Sequence, residues 1–146
     1  MCDPRSVHIV SWEDEALTLR AIRTEVFIHE QQVPESLEWD EFDAISMHVL
    51  ARNFDGQPVG TARLLPDGHI GRMAVLKEWR GKGYGSAMLQ KILEELRIRN
   101  KQKKAMLNAQ ASAVKFYEKF GFKVSGEEFV EAGILHVKMI LFLKWN

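Results

Sequence analysis

Three glycines at alternate positions, in Arg80-Gly81-Lys82-Gly83-Tyr84-Gly85, stand between an apolar segment (Met73 to Leu76) and an amphipathic run. Such a stretch is suited to holding an anion. Glycine turns the backbone through positive φ and lets amide N–H groups approach a ligand, while the first turn of a helix offers unpaired N–H groups and a partial positive charge. A pyrophosphate suits that geometry. The P-loop spacing is absent, and Ser86 stands where a dinucleotide-binding G-x-G-x-x-G turn has its third glycine. The same six residues also suit an ordinary glycine-rich strand-to-helix turn.

A second group lies farther along. Ala113, Phe116, Tyr117 and Phe120 fall on one face of a short helix, Gly121 is a natural residue for its left-handed end, and Phe122 opens a strand. Phe116 and Phe120 read as core, whereas a buried Tyr117 hydroxyl needs a partner. Earlier in the chain, Glu30, Glu38, Asp40, Glu41 and Asp43 precede the segment holding His48. Such a run is either a solvated surface or a set of carboxylates facing a cation. The five histidines and the single cysteine, Cys2, show no HExxH or CxxC spacing, so no metal is expected.

The elements that must position these residues can be read from periodicity. Val7 to Trp12 reads as a first strand, after which Asp14 caps a helix that carries Leu19, Ile22, Val26 and Phe27 and ends near Glu30. Val33 to Asp43 is polar, acidic and interrupted by Pro34, which predicts a loop with one short helical turn. Ser46 to Asn53 and Gln57 to Leu65 form a hairpin about Asp55-Gly56, and Pro66-Asp67-Gly68 turns the chain into a fourth strand, Ile70 to Leu76. From Gly83, Met88, Leu89, Ile92, Leu93 and Leu96 recur at helical spacing. Ala105 to Ala109 makes a fifth strand, and Phe122 to Val124 with Ile134 to Phe142 closes the sheet as a hairpin with a long loop. The expected class is α/β, with a mixed, mostly antiparallel twisted sheet flanked by helices.

The 146 residues are expected to form a single domain, 1–146. Twenty basic and twenty acidic side chains cancel, which argues against nucleic acid or an anionic membrane as partner. Lys101, Lys103 and Lys104 read as a solvated face after a helix. No signal peptide is evident, the tail from Ile134 to Trp145 is too short and too interrupted by charge to span a bilayer, and one cysteine allows no internal disulfide. A cytoplasmic location is expected, and a homodimer stays open.

Arg80 to Gly85 fits the pattern Gln/Arg-x-x-Gly-x-Gly/Ala, and Gln110 to Phe122 is similar to an N-x-x-A-x-x-F-Y-x-x-x-G-F segment. Together, in this order, they make the chain resemble the GNAT acetyltransferase superfamily. The likeness extends to a small bacterial branch of acyltransferases through Arg23-x-x-Val26-Phe27-x-x-Glu30-Gln31, Val33-Pro34-Glu35 to Asp43, Leu107-Asn108-Ala109-Gln110 and Glu131-Ala132-Gly133-Ile134-x-His136-x-x-Met139. One departure is Gln110, where many relatives have Asn.

The resemblance implies a splay between the fourth and fifth strands, with acetyl-CoA between them. Its coenzyme residues would be Met73, Ala74 and Val75, then Arg80, Gly81, Lys82, Gly83, Tyr84, Gly85 and Ser86, and finally Asn108, Gln110, Phe116 and Tyr117. Transfer would be direct, to an amine; the resemblance does not fix the acceptor, and the acidic stretch from Glu30 to Asp43, which could offset a positive charge, makes a small cationic amine the expected one. Tyr117 would be the general acid that protonates the departing thiolate, because a phenol stays protonated at neutral pH. A backbone N–H near Ala74 or Val75 would stabilise the oxyanion. Glu30, Glu41, Asp43, His48 and His136 are the residues expected on the acceptor side. A non-catalytic acyl-CoA-binding or regulatory module is the alternative, and the presence of Tyr117 argues against it.

Overall fold

The computed structural model describes residues 6–99 and 101–143; Cys2, Lys144 and Trp145 lie outside the described residues. After strand β1 (Ser6–Val10), helix α1 (Trp12–Arg23) starts at Ser11, whose side chain accepts the Asp14 amide N–H at 3.1 Å. Ser11 is therefore the cap, and Asp14 instead sits in the first turn with Glu13 and Glu15, where negative charge favours the helix dipole. The expected extent to Glu30 is met, yet the winding changes. Thr24–Glu30 is a π-helix, with Gln31 N–H donating to the Val26 carbonyl and Val33 N–H to that of Phe27. Wider turns of this kind are commonly found at functional sites. A short helix, α2 (Glu35–Glu38), follows in the acidic loop.

The sheet then builds through β2 (Met47–Arg52), β3 (Pro58–Leu64) and β4 (His69–Val75). The chain continues into α3 (Tyr84–Arg99), β5 (Lys104–Gln110), α4 (Val114–Glu118) and β6 (Lys123–Val124). It closes with β7 (Phe129–Glu131) and β8 (Ile134–Phe142). The strand order is β1-β2-β3-β4-β5-β8-β6, with β7 also on β8. Pairing is antiparallel except between β4 and β5. The mixed sheet expected from the sequence is present. The expected long loop before Ile134 instead contains β7, paired to β8 across Ala132-Gly133.

Beta-4 and β5 touch only at His69 with Met106 and Ile70 with Leu107, and then part. The cause lies in β4. Arg63 pairs with Gly71 but Thr61 with Ala74, so Arg72 and Met73 together oppose one residue of β3 and form a bulge. Arg72 takes φ 49° there, a left-handed conformation that costs a side-chain-bearing residue ~1–2 kcal/mol. A bulge increases local twist and turns the end of β4 away from β5. This is the expected splay.

Each face of the sheet carries its own core. On one, Met88, Leu89 and Ile92 of α3 are wholly buried against Val49, Val59, Leu107 and Met139. Each such side chain stabilises the fold by roughly 1.5–3 kcal/mol, and together they anchor the start of α3. On the other, Leu19, Ile22, Val26 and Phe27 pack with Leu50 and Ala74.

Candidate active site

The opening between the splayed strands leads into a cavity of about 670 Å3. Phe27 and Gln31 come from the π-helix side, Glu38 and Asp40 from the acidic loop, Arg72 and Met73 from the bulge, and Asn108 and Gln110 from β5. Tyr117 of α4 and His136 of β8 complete it. Gln110 donates its amide N–H to Gln31 at 2.9 Å, so the amide that replaces the more usual Asn ties β5 to the end of the π-helix.

Tyr117 is held by rings on two sides, Phe116 at 5.0 Å and Phe122 at 6.0 Å. Its hydroxyl points at the Met73 sulfur, 3.8 Å away, a weak acceptor. Burial pushes the phenol up to about 12. The side chain is thus a neutral donor throughout the neutral range, aimed at the gap beside the bulge.

Ahead of α3, Gly81 and Gly83 have φ of 75° and 91°, conformations that glycine alone adopts without strain. A Cβ added at Gly81 would meet nothing within 4 Å, so the space over the turn is open. An anion fits there, at the head of a 16-residue helix. Not every residue expected to touch that anion is placed to do so through its side chain. Tyr84 is buried in the core with its ring edge-on to Trp79. Arg80 donates from Nε to the Val75 carbonyl at 2.9 Å and from both Nη atoms to Glu30 at 2.6 Å. That bond also occupies one of the β4 carbonyls expected to bind the coenzyme. Phe116 packs beside Gly85, and Ser86 lies in the first turn of α3. Lys82 makes an interaction of its own.

The acidic loop is a charge-balanced hub. Arg23, 1 % exposed, is held between the rings of Trp12 and Trp39, at 5.5 and 5.0 Å. It donates to Glu38 and to Asp43, each at 2.7 Å. Arg63 donates to Asp40 at 2.7 Å and to Asp43 at 3.0 Å, and Arg72 reaches Asp40 and the Leu37 and Glu38 carbonyls. Desolvation raises the Asp43 carboxyl, but the bonds from Arg23 and Arg63 outweigh it and hold it below the usual range. For Glu38, desolvation prevails over Arg23 and the acid is raised.

The expected acceptor residues therefore separate. Asp43 is enclosed by arginines, Glu30 is paired with Arg80, and Glu41 is exposed away from the cavity wall. His48 is buried, donates from Nε2 to the Asp43 carbonyl at 2.8 Å and is lowered chiefly by desolvation. His136 alone of the five lines the cavity. Arg23, Arg63 and Arg72 were not readable as a hub, since charged residues in a strand or helix pattern ordinarily mark solvent faces.

Residues 11–143 match the acetyltransferase (GNAT) domain family. The chain belongs to the GNAT acetyltransferases. Among its relatives is the Bacillus subtilis "Uncharacterized N-acetyltransferase YjcF", 40% identical over 124 residues that cover 82% of this chain and 86% of the other. Escherichia coli ElaA is 29% identical over 147 residues, covering 90% and 95%. The crystal structure of ElaA covers 93% of this chain and 98% of its own at a TM-score of 0.82. An acyl-CoA N-acyltransferase from Pseudomonas aeruginosa, 29% identical, covers 93% and 98% at 0.83. This GNAT protein is an acyltransferase, of a family that uses acyl-CoA as cosubstrate. No helix among the described residues is long and apolar enough to cross a membrane, and no cluster of three His, Cys, Asp or Glu among them is arranged to hold a metal.

Proposed function

We propose that the protein transfers an acetyl group from acetyl-CoA directly to the amine of a small acceptor. The observation that carries this reading is the Tyr117 hydroxyl, aimed at the gap between the splayed strands on the side of the bulge. Acetyl-CoA supplies the acyl group as a thioester. The turn at Gly81 and Gly83 would hold its pyrophosphate through backbone N–H groups, and the unpaired edge of β4 at Met73 would align the pantetheine arm. The N–H of Ala74 or Val75 would meet the thioester oxygen as negative charge develops there. Tyr117 would donate to the departing sulfur; the burial that weakens the phenol as an acid also penalises a bare thiolate beside it, so their proton affinities rise together.

An acceptor that is an ammonium in solution must be drawn in and then deprotonated. The carboxylates of the acidic loop nearest the cavity add no net negative charge, because Glu38, Asp40 and Asp43 face Arg23, Arg63 and Arg72. In this reading the cationic selectivity passes to Glu131, which lines the cavity from β7. Cytoplasm is the proposed compartment, since a chain with one cysteine has no internal disulfide to protect.

The test begins with melting curves. CoA and acetyl-CoA at about 100 times Kd should stabilise the protein by roughly 2.7 kcal/mol, with ATP and NAD far less effective. Gly83→Val should abolish the shift, because a β-branched residue there closes the backbone approach. Thiol release from acetyl-CoA with spermidine, glucosamine and glycylglycine as amine probes then reads transfer. Stabilisation by ATP equal to that by CoA refutes the ligand; a CoA shift with no transfer to any amine leaves a binding module.

A further inference from the structure

The transferase reading needs a group that takes a proton from the acceptor ammonium, and the cavity holds few free to do so. Glu38 and Asp40 are committed to arginines. His69 stands at the closed end of the splay, where β4 still pairs with Met106 of β5, whereas His136 stands opposite Gln110 at the open end. Tyr117 is protonated and faces the sulfur of Met73. Resting on that reading, we propose that His136 is the proton acceptor and that Glu131 positions and stabilises it once charged.

The orientation follows from one bond. His136 Nδ1 lies 2.7 Å from the Ile134 carbonyl, which can only accept, so Nδ1 carries the hydrogen and the neutral ring keeps its lone pair on Nε2. Nε2 has no hydrogen-bond partner among the described residues, and the one occluded, unpartnered side-chain polar atom among them is Arg63 Nε. Nε2 is therefore accessible, and the residue that carries it lines the cavity while remaining 7 % exposed. Glu131 Oε2 sits 3.8 Å from Nε2. That is too long for a hydrogen bond and leaves the carboxylate beside the ring, within reach of any positive charge that forms there. The Phe129 ring, 5.9 Å away and inclined by 22°, stacks on the imidazole and fixes its plane. All three residues belong to the β7–β8 hairpin, which packs through Ala132 and Ile134 against the core that holds Leu19, Ile22, Val26 and Phe27.

The proton balance closes. The acceptor nitrogen gives one proton to Nε2, directly or across one water, and forms its bond to the acyl carbon as the carbon–sulfur bond breaks. Tyr117 donates to the sulfur, and the second proton lost by the nitrogen returns to the phenolate. His136 releases its proton to water, so each turnover yields one amide, one thiol and one proton. Arg63 and Arg72 also face the cavity, but each is paired with carboxylates of the hub, whereas Glu131 is the charged group paired with the ring itself, 3.8 Å away.

His136→Asn tests this cleanly, since the Asn amide can replace Nδ1–H toward Ile134 but has nothing at Nε2. With acetyl-CoA and the best of the three amine probes, kcat should fall roughly 10²-fold or more, with the acidic limb of kcat/KM abolished and the melting shift by CoA unchanged. Glu131→Gln, at an exposed position, should lower kcat less than His136→Asn does and raise KM for the amine, with Glu131→Asp restoring part of both. Nitrogen NMR of the wild-type imidazole should show Nδ1 protonated at neutral pH and Nε2 gaining the proton on acidification. A His136→Asn enzyme that keeps both kcat and the limb overturns the proposal while transfer itself stands, as does a neutral ring protonated at Nε2. Wild-type protein that releases no thiol with any probe defeats the transferase reading, and the base assignment with it.

Discussion

The acidity of Tyr117 is set by burial rather than by a charged neighbour: desolvation raises it from 10.0 to about 12. The sign of the consequence is definite. A donor is active while protonated, so its contribution is lost only as pH rises through the folded value. Rate measurements should show no loss attributable to Tyr117 up to about pH 10.5, where a phenol of ordinary acidity would be mostly ionised. Tyr117→Phe should lower kcat about 10²-fold and leave CoA-induced stabilisation intact, because the ring still packs on Phe116 and Phe122. Wild-type kcat in that variant would remove the acid. The position of this tyrosine was legible because its neighbours repeat at helical spacing and Gly121 ends the helix. The same logic could not reveal the roles of Arg80 and Tyr84, since a motif names residue types and does not show whether the backbone or the side chain meets the ligand. In the structure Arg80 is a strap between the glycine turn and Glu30, and Tyr84 is core.

At the scale of elements, periodicity revealed the strands of the central sheet and the long α3, and it failed where winding or turn chemistry departs from habit. A π-helix carries the same apolar residues as the α-helix expected over Thr24–Glu30, so nothing in their spacing distinguishes the two. The β7–β8 hairpin was hidden differently. Glu131 pairs with Ile134, leaving Ala132 and Gly133 as a two-residue turn with φ of 52° and 78°. Two positive φ values are what a type I′ turn requires, and Asn-Gly is its usual signature; Ala disguises it. Alanine in that region is strained, whereas asparagine tolerates it. Ala132→Asn should therefore stabilise the protein by about 1 kcal/mol in urea unfolding at unchanged slope. A loss of stability would show that packing of the Ala132 methyl against the neighbouring core outweighs the relief of strain.

Across the whole molecule, a formal net charge of zero conceals a segregated arrangement in which the acidic loop folds over arginines drawn from α1, β3 and β4. Sequence alone could not show this, because residues 15 to 35 apart in the chain become partners only when the loop closes on the sheet. Two carboxylates in the hub shift in opposite directions, which gives acid stability a particular form. Asp43 is lowered, so its stabilisation is fully present above its unfolded value of 3.8 and is lost as pH falls through the lower folded value. Glu38 is raised above 4.5, so its contribution is present when it is protonated and is lost as pH rises through the folded value. Asp43→Asn leaves Arg23 and Arg63 short of a buried counter-charge and should cost about 3 kcal/mol or more at pH 7. Glu38→Gln should cost distinctly less at that pH, because desolvation of the Glu38 carboxyl offsets what it gains from Arg23. Below about pH 4 the two penalties should draw together, as Asp43 begins to take up protons in the unfolded chain and its stabilisation shrinks, while Glu38 has regained its favourable form. Urea unfolding of both variants at pH 7 and pH 3.5 measures this. Equal penalties at pH 7 would mean that the hub stabilises the fold by packing between Trp12 and Trp39, with the placement of charge contributing little.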